Sequence, residues 1–147
     1  MKIRIKFEDN WLDQYKHKES MMPAYICIEH DEECYPSNDW VDNPAILLGW
    51  WLHSMEDLLL GGEGQGFSFM EGPFFIKARI EDENILLVSE DNNITWVINK
   101  NEFADELTKS ANQASRTFNE IGLNNIAGNL DEGVKKIKAI LKMTKKA

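Results

Sequence analysis

Period-two alternation opens the chain. In Lys2-Ile3-Arg4-Ile5-Lys6-Phe7 every second residue is apolar, the signature of a half-buried strand with Ile3, Ile5 and Phe7 facing inward. Ala24-Tyr25-Ile26-Cys27-Ile28-Glu29 predicts a second strand. Residues 9–22 between them carry no sustained period, although Trp11, Leu12 and Tyr15 are spaced for one helical turn. Four short apolar runs come later, at Phe67-Ser68-Phe69 and at residues 74–80, 85–89 and 94–98. Polar turns at 71–73, 81–84 and 91–93 divide them. Apolar runs joined by short polar turns predict an antiparallel meander.

Three stretches have helical spacing instead. The first, residues 44–60, is apolar around most of its circumference, and Gly49, His53, Glu56 and Asp57 form one narrow polar stripe. Such a helix must be buried on several sides. Pro44 suits its first turn, Asp42 or Asn43 its cap, and Gly61 its left-handed stop. The stretch is too short, and too polar at its end, to span a bilayer. Asn99 and Glu102 then stand in capping-box spacing. Behind them Phe103, Leu107, Ala111, Ala114, Phe118 and Ile121 make a single stripe ended by Gly122. Asn129 and Glu132 repeat the capping pattern ahead of Leu130, Val134, Ile137 and Leu141. The order predicts one α+β domain over residues 1–147: a mainly antiparallel sheet, a buried central helix and two C-terminal helices packed on one face.

Composition supports a folded core, with 43% hydrophobic residues, five Trp and seven Phe. Charge changes the picture more. The formal net charge is −9, but residues 131–147 carry +4, which leaves −13 on residues 1–130. An acidic body repels a phosphate backbone, so nucleic acid is not the expected partner. It attracts a basic protein and speeds their encounter. The alternating start lacks the long apolar region of a secretory signal. With no transmembrane stretch either, the expected compartment is the cytoplasm, away from membranes and with Cys27 and Cys34 reduced.

Candidate chemistry is sparse. Gly61-Gly62-Glu63-Gly64-Gln65-Gly66 follows a helix and lacks the Lys-Ser or Lys-Thr pair of a phosphate loop, so it reads as a helix stop and turn. Cys27, His30 and Cys34 have C-x2-H-x3-C spacing, with Glu33 or Asp31 for a fourth ligand. Cys27, however, falls inside an alternating strand, where a small buried thiol is ordinary. The expectation is no metal and no cofactor. His53, Glu56 and Asp57 lie within helical reach and make an acid–base pair conceivable. No second His completes an H-E-x-x-H motif, and no Gly-x-Ser-x-Gly elbow occurs. Lysines 135–146 are a basic helix face without interleaved aromatics, which ordinarily is solvated.

The acidic stretch before the central helix is the richest candidate. Six acids stand between Glu29 and Asp42, with Tyr35 and Trp40 among them. Aromatics supply contact energy at interfaces and carboxylates supply steering. Asp31, Glu32, Glu33, Tyr35, Asp39 and Trp40 are therefore the expected partner-binding residues, with no catalytic residue assigned. The rival readings are a small-ligand protein or enzyme built on the His53/Glu56/Asp57 stripe, and an adaptor subunit of a larger assembly.

Gly49-Trp50-Trp51-Leu52-His53-Ser54-Met55-Glu56-Asp57-Leu58-Leu59-Leu60-Gly61, followed by a Phe-rich strand, resembles the "WL…LL.G" helix of small bacterial immunity-type proteins. Trp96-Val97-Ile98 followed by Phe103-Ala104-Asp105-Glu106-Leu107 is similar to the same type. The likeness covers residues 44–121 and its motifs are structural. It implies a cytoplasmic, non-enzymatic inhibitor that covers a toxin's active site, and it carries over no binding residue by position.

Overall fold

The computed structural model describes residues 1–18, 22–63, 65–89, 91 and 93–145, with side chains through Met143 in the last helix. Residues 19–21, Gly64, Asn92, the Lys145 side chain and Lys146, on which expectations above fall, lie outside the described residues. The fold is α+β, with its strands paired antiparallel throughout.

The strands form two four-stranded sheets in place of the expected one. The first contains β1 (Lys2–Lys6), β2 (Ala24–His30), β3 (Glu33–Tyr35) and β4 (Val41–Asp42). On one edge of β2, β1 sets Ile3 opposite Ile28 and Ile5 opposite Ile26. The other edge is shared, with Cys34 of β3 opposite Glu29 and Val41 of β4 opposite Tyr25. The second sheet is the meander β5 (Gly66–Ser68), β6 (Phe75–Glu81), β7 (Asn84–Ser89) and β8 (Ile94–Asn99), as the spacing of turns predicts. Its buried face is Phe67, Ile76, Ala78, Ile85, Leu87, Ile94, Trp96 and Ile98.

A ring cluster fills the seam between the sheets. Tyr35 packs edge-on against Phe69 and Phe74 at 5.6 and 5.9 Å, and Trp40 packs against Phe74 at 5.0 Å. Such offset contacts suit the ring quadrupole. The turn at Gly72 lies so close to Trp40 that a Cβ there would come within 2.7 Å of the indole.

Helix α1 (Asp9–Gln14) is the short turn suggested by Trp11 and Leu12. Helix α2 (Pro44–Leu59) is the central helix. It buries Leu47, Leu48, Trp51, Leu52, Met55 and Leu58 between the second sheet and the two C-terminal helices. Asn43 caps it by accepting the Ile46 N–H at 3.2 Å. Its other end is a Schellman stop: Gly61 takes φ +91°, and the Gly62 N–H returns to the Asp57 carbonyl, as a residue without a Cβ permits. The solvent side of α2 is less polar than expected, because Trp50 shows 46% of its surface there beside Gly49 and His53.

Helix α3 (Lys100–Glu120) is capped by Asn99 and packs across β1 and β8, so it bridges the two sheets. Helix α4 (Asn124–Lys145) begins five residues before the expected cap at Asn129. The apolar stripe continues backward through Ala127 to Leu123, and both are buried. The helix therefore gains more by extending than by stopping at a polar cap. Ser115 ties the pair by donating to Asp131 Oδ1 at 2.7 Å.

Candidate functional site

Strands β2 and β3 turn the acidic stretch into a tight hairpin instead of a loop. His30 stands opposite Glu33, and only Asp31 and Glu32 connect them. Both connecting residues have positive φ, 49° and 67°. Two left-handed residues in a two-residue hairpin match a type I′ turn, whose twist suits the flanking strands. Asp tolerates this region, whereas Glu32 has neither the freedom of Gly nor the short side chain of Asn or Asp, so the turn stores strain of about 1–3 kcal/mol at Glu32. The result is a fixed acidic tip. Asp31, Glu32 and Glu33 are exposed, and the Asp31 side chain shows 81% of its surface.

The six expected partner-binding residues are not one surface. Asp31, Glu32 and Glu33 form the tip, and Asp39 is exposed on the following turn, where it accepts the Ser37 hydroxyl at 2.8 Å. Tyr35 is a correction: it is fully buried in the ring cluster and offers nothing to a partner. Period two explains this, because Tyr35 stands opposite Ile28 on the inner face. Trp40 is half-buried and committed inward, with its Nε1–H donated to Asp42 Oδ2 at 2.9 Å. The aromatics interleaved with the acids hold the sheets together.

Two of the six acids have structural work. Asp42 is only 2% exposed and accepts four N–H groups. Oδ1 takes Asn43 N–H at 2.7 Å, while Oδ2 takes Trp40 Nε1–H, Met70 N–H at 3.1 Å and Glu71 N–H at 3.2 Å. One carboxylate thus ties β4, the start of α2 and the turn before β6. Nothing in the local sequence signals this role. Glu29 pairs with Arg4 through the guanidinium Nε and, at 2.9 Å, Nη2. The hydrogen bonds from Arg4 hold the Glu29 carboxyl below its usual range, and the same bonds raise the guanidinium.

The pleat of β2 takes the Cys-His-Cys set apart. Cys27 and Glu29 share the outer face, with Cys34 alongside, whereas His30 is on the inner face with its ring 5.6 Å from Trp96. Burial pushes the Cys27 thiol up to about 12, and the neighbouring Cys34 adds to the effect. Cys34 Sγ donates to Glu29 Oε2 at 3.7 Å.

The rival stripe is open to water. His53 Nε2 lies 3.5 Å from Asp57 Oδ2, one helical turn on, with side chains 74% and 38% exposed. Acid–base chemistry needs such a pair beside a bound substrate. A groove of about 440 Å³ lies on the outer face of the second sheet, lined by Phe75, Leu86 and Val88 together with Lys77 and Arg79. The sequence shows these residues only as meander. No helix among the described residues is long and apolar enough to cross a membrane.

No protein family, no curated protein and no solved structure matches this chain.

Proposed function

We propose that the chain is a non-enzymatic, immunity-like inhibitor that docks the acidic tip of the β2–β3 hairpin on a basic protein domain. The observation that carries this reading is the tip itself: three exposed carboxylates, Asp31 and Glu32 on a turn held in left-handed backbone and Glu33 at the start of β3. Strained backbone that the surroundings hold in place is a mark of functional surface. A fixed array of like charge lowers the ordering cost of binding and steers a basic partner. The net −13 on residues 1–130 adds a long-range field of the same sign. Such an inhibitor works by covering its target's site, in the cytoplasm where the target is made, and needs no cofactor.

The test is capture of the protein encoded immediately upstream, followed by association kinetics at two salt concentrations. Exposed charges are screened beyond about 8–10 Å near physiological ionic strength, so the association rate falls with salt. Replacing Asp31, Glu32 and Glu33 together by Asn, Gln and Gln slows association and leaves the melting curve in place. Absence of binding, or binding indifferent to both changes, ends this reading.

A further inference from the structure

We propose that Cys27 and Cys34 are an oxidation site: a dithiol that a hydroperoxide converts reversibly into an intramolecular disulfide at the base of the acidic hairpin. Cys34 stands opposite Glu29, and Cys27 precedes Glu29 by two residues, so both thiols project from one face on adjacent strands. The two lie close enough for Cys34 to raise the Cys27 thiol. They are also unequal. Cys34 is half-buried, while Cys27 is 3% exposed and lines a groove of about 530 Å³ with Arg4, Tyr25 and Asn38.

That inequality divides the chemistry into two roles. Reactive thiols occupy electropositive, partly exposed surroundings. Cys34 is the more exposed of the two, and its thiol donates to Glu29 Oε2, a carboxylate that Arg4 pairs in turn, with Lys2 and Lys6 along the same sheet face. The Cys34 thiolate attacks the distal oxygen of the hydroperoxide, the O–O bond breaks, and the departing alkoxide takes the proton that Cys34 has lost. Cys34 is then a sulfenic acid, and an alcohol has left. The Cys27 sulfur next attacks the Cys34 sulfur and displaces hydroxide, which leaves as water with the Cys27 proton. Two thiols and one hydroperoxide become one disulfide, one alcohol and one water.

Closure moves the hairpin. Diagonal neighbours on adjacent strands have Cα atoms about 7–8 Å apart, whereas disulfides span about 4.4–6.8 Å. The bond therefore draws β3 toward β2. Strand β3 has three residues and leads directly back to Glu32 and Asp31, so the acidic tip shifts with it. The oxidation site stands without the inhibitor reading, and only the consequence for docking rests on it.

The experiment uses the full chain and no partner, so its failure leaves the inhibitor reading intact. The reduced protein is treated with hydrogen peroxide, alkylated with iodoacetamide and examined by intact mass and peptide mapping. The expected product is a monomer lighter by two hydrogens, unalkylated at both cysteines, with a Cys27–Cys34 linked peptide that dithiothreitol releases. Without any substitution, alkylation of the reduced protein proceeds at least about tenfold faster at Cys34 than at Cys27. The variant Cys27→Ser stops at a sulfenic acid on Cys34 that dimedone traps. A protein still fully alkylated after peroxide, a disulfide formed only in urea or between two chains, or faster reaction at Cys27 overturns the proposal.

Discussion

Removing the Asp42 carboxylate tests the seam directly. The side chain accepts four N–H groups and is almost wholly buried. In Asp42→Ala the buried Asn43 N–H loses its partner, and an orphaned buried donor costs about 1–3 kcal/mol. The donors of Trp40, Met70 and Glu71 sit in half-buried or exposed residues, so water recovers part of their loss. The variant also escapes the desolvation of a buried carboxylate, which offsets several kcal/mol of gross hydrogen bonding. The net loss is about 2–4 kcal/mol, a large part of a typical total of about 5–15. At about 2–4 °C per kcal/mol for a chain of this size, the midpoint falls by about 4–16 °C. Asp42→Asn separates geometry from bulk. One amide oxygen can keep the three bonds of Oδ2, while the amide nitrogen faces the Asn43 N–H, so its loss is about 1–2 kcal/mol. Urea melts at constant m measure both variants. Hydrogen exchange at the Met70 and Glu71 amides rises ahead of exchange in α3. A loss below about 1 kcal/mol for the Ala variant, or equal losses for Ala and Asn, refutes the account.

Other substitutions follow from the same structure. The Tyr35 hydroxyl is buried without a hydrogen-bond partner among the described residues, so Tyr35→Phe changes stability by less than about 0.5 kcal/mol or raises it. Tyr35→Ala loses about 3–5 kcal/mol as a core ring, and urea melts of the two variants distinguish a seam residue from a surface anchor. Trp51→Ala, which removes a fully buried indole bonded to the Ser68 carbonyl, also loses about 3–5 kcal/mol in such a melt. The raised Cys27 thiol predicts alkaline sensitivity. Its contribution is complete below the ordinary thiol value of about 8.5 and is lost as pH rises from there through the folded value, so stability falls between about pH 9 and pH 12. Melts of the wild type and Cys27→Ala across that window check it, with a flatter profile in the variant. Glu29, held low by Arg4, acts in the opposite sense. Its contribution is present above the ordinary carboxyl value of about 4.3 and is lost as pH falls through the folded value, so Glu29→Gln flattens the acid limb of the stability profile.

What could be read in advance divides along a physical line. Periodicity within one segment was legible. The meander β5–β8, the buried α2, its Gly61 stop and the Asn99 cap all follow from spacing along a few turns of chain. Relations between segments were not. Whether eight strands make one sheet or two depends on which edges meet, and the ring cluster at the seam draws on residues 35 to 74. The same limit governs the candidate site. Acids 29 to 42 read as one patch because they are close in sequence. In the fold, register gives Glu29 to Arg4, burial gives Asp42 to four backbone and indole donors, and only the tip and Asp39 remain for another molecule. Pleat decides the rest. One residue of alternation puts Tyr35 inside and Cys34 outside, and it parts His30 from both thiols. Charge density along a sequence therefore overstates a binding surface wherever the acids sit in strands, because each strand sends alternate side chains to opposite faces. Asp31 and Glu32 at the hairpin tip escape that division, since their two-residue turn lies beyond the ladder that His30 and Glu33 close, and under the proposed inhibitor reading they are where a basic partner meets the least competition from the fold itself.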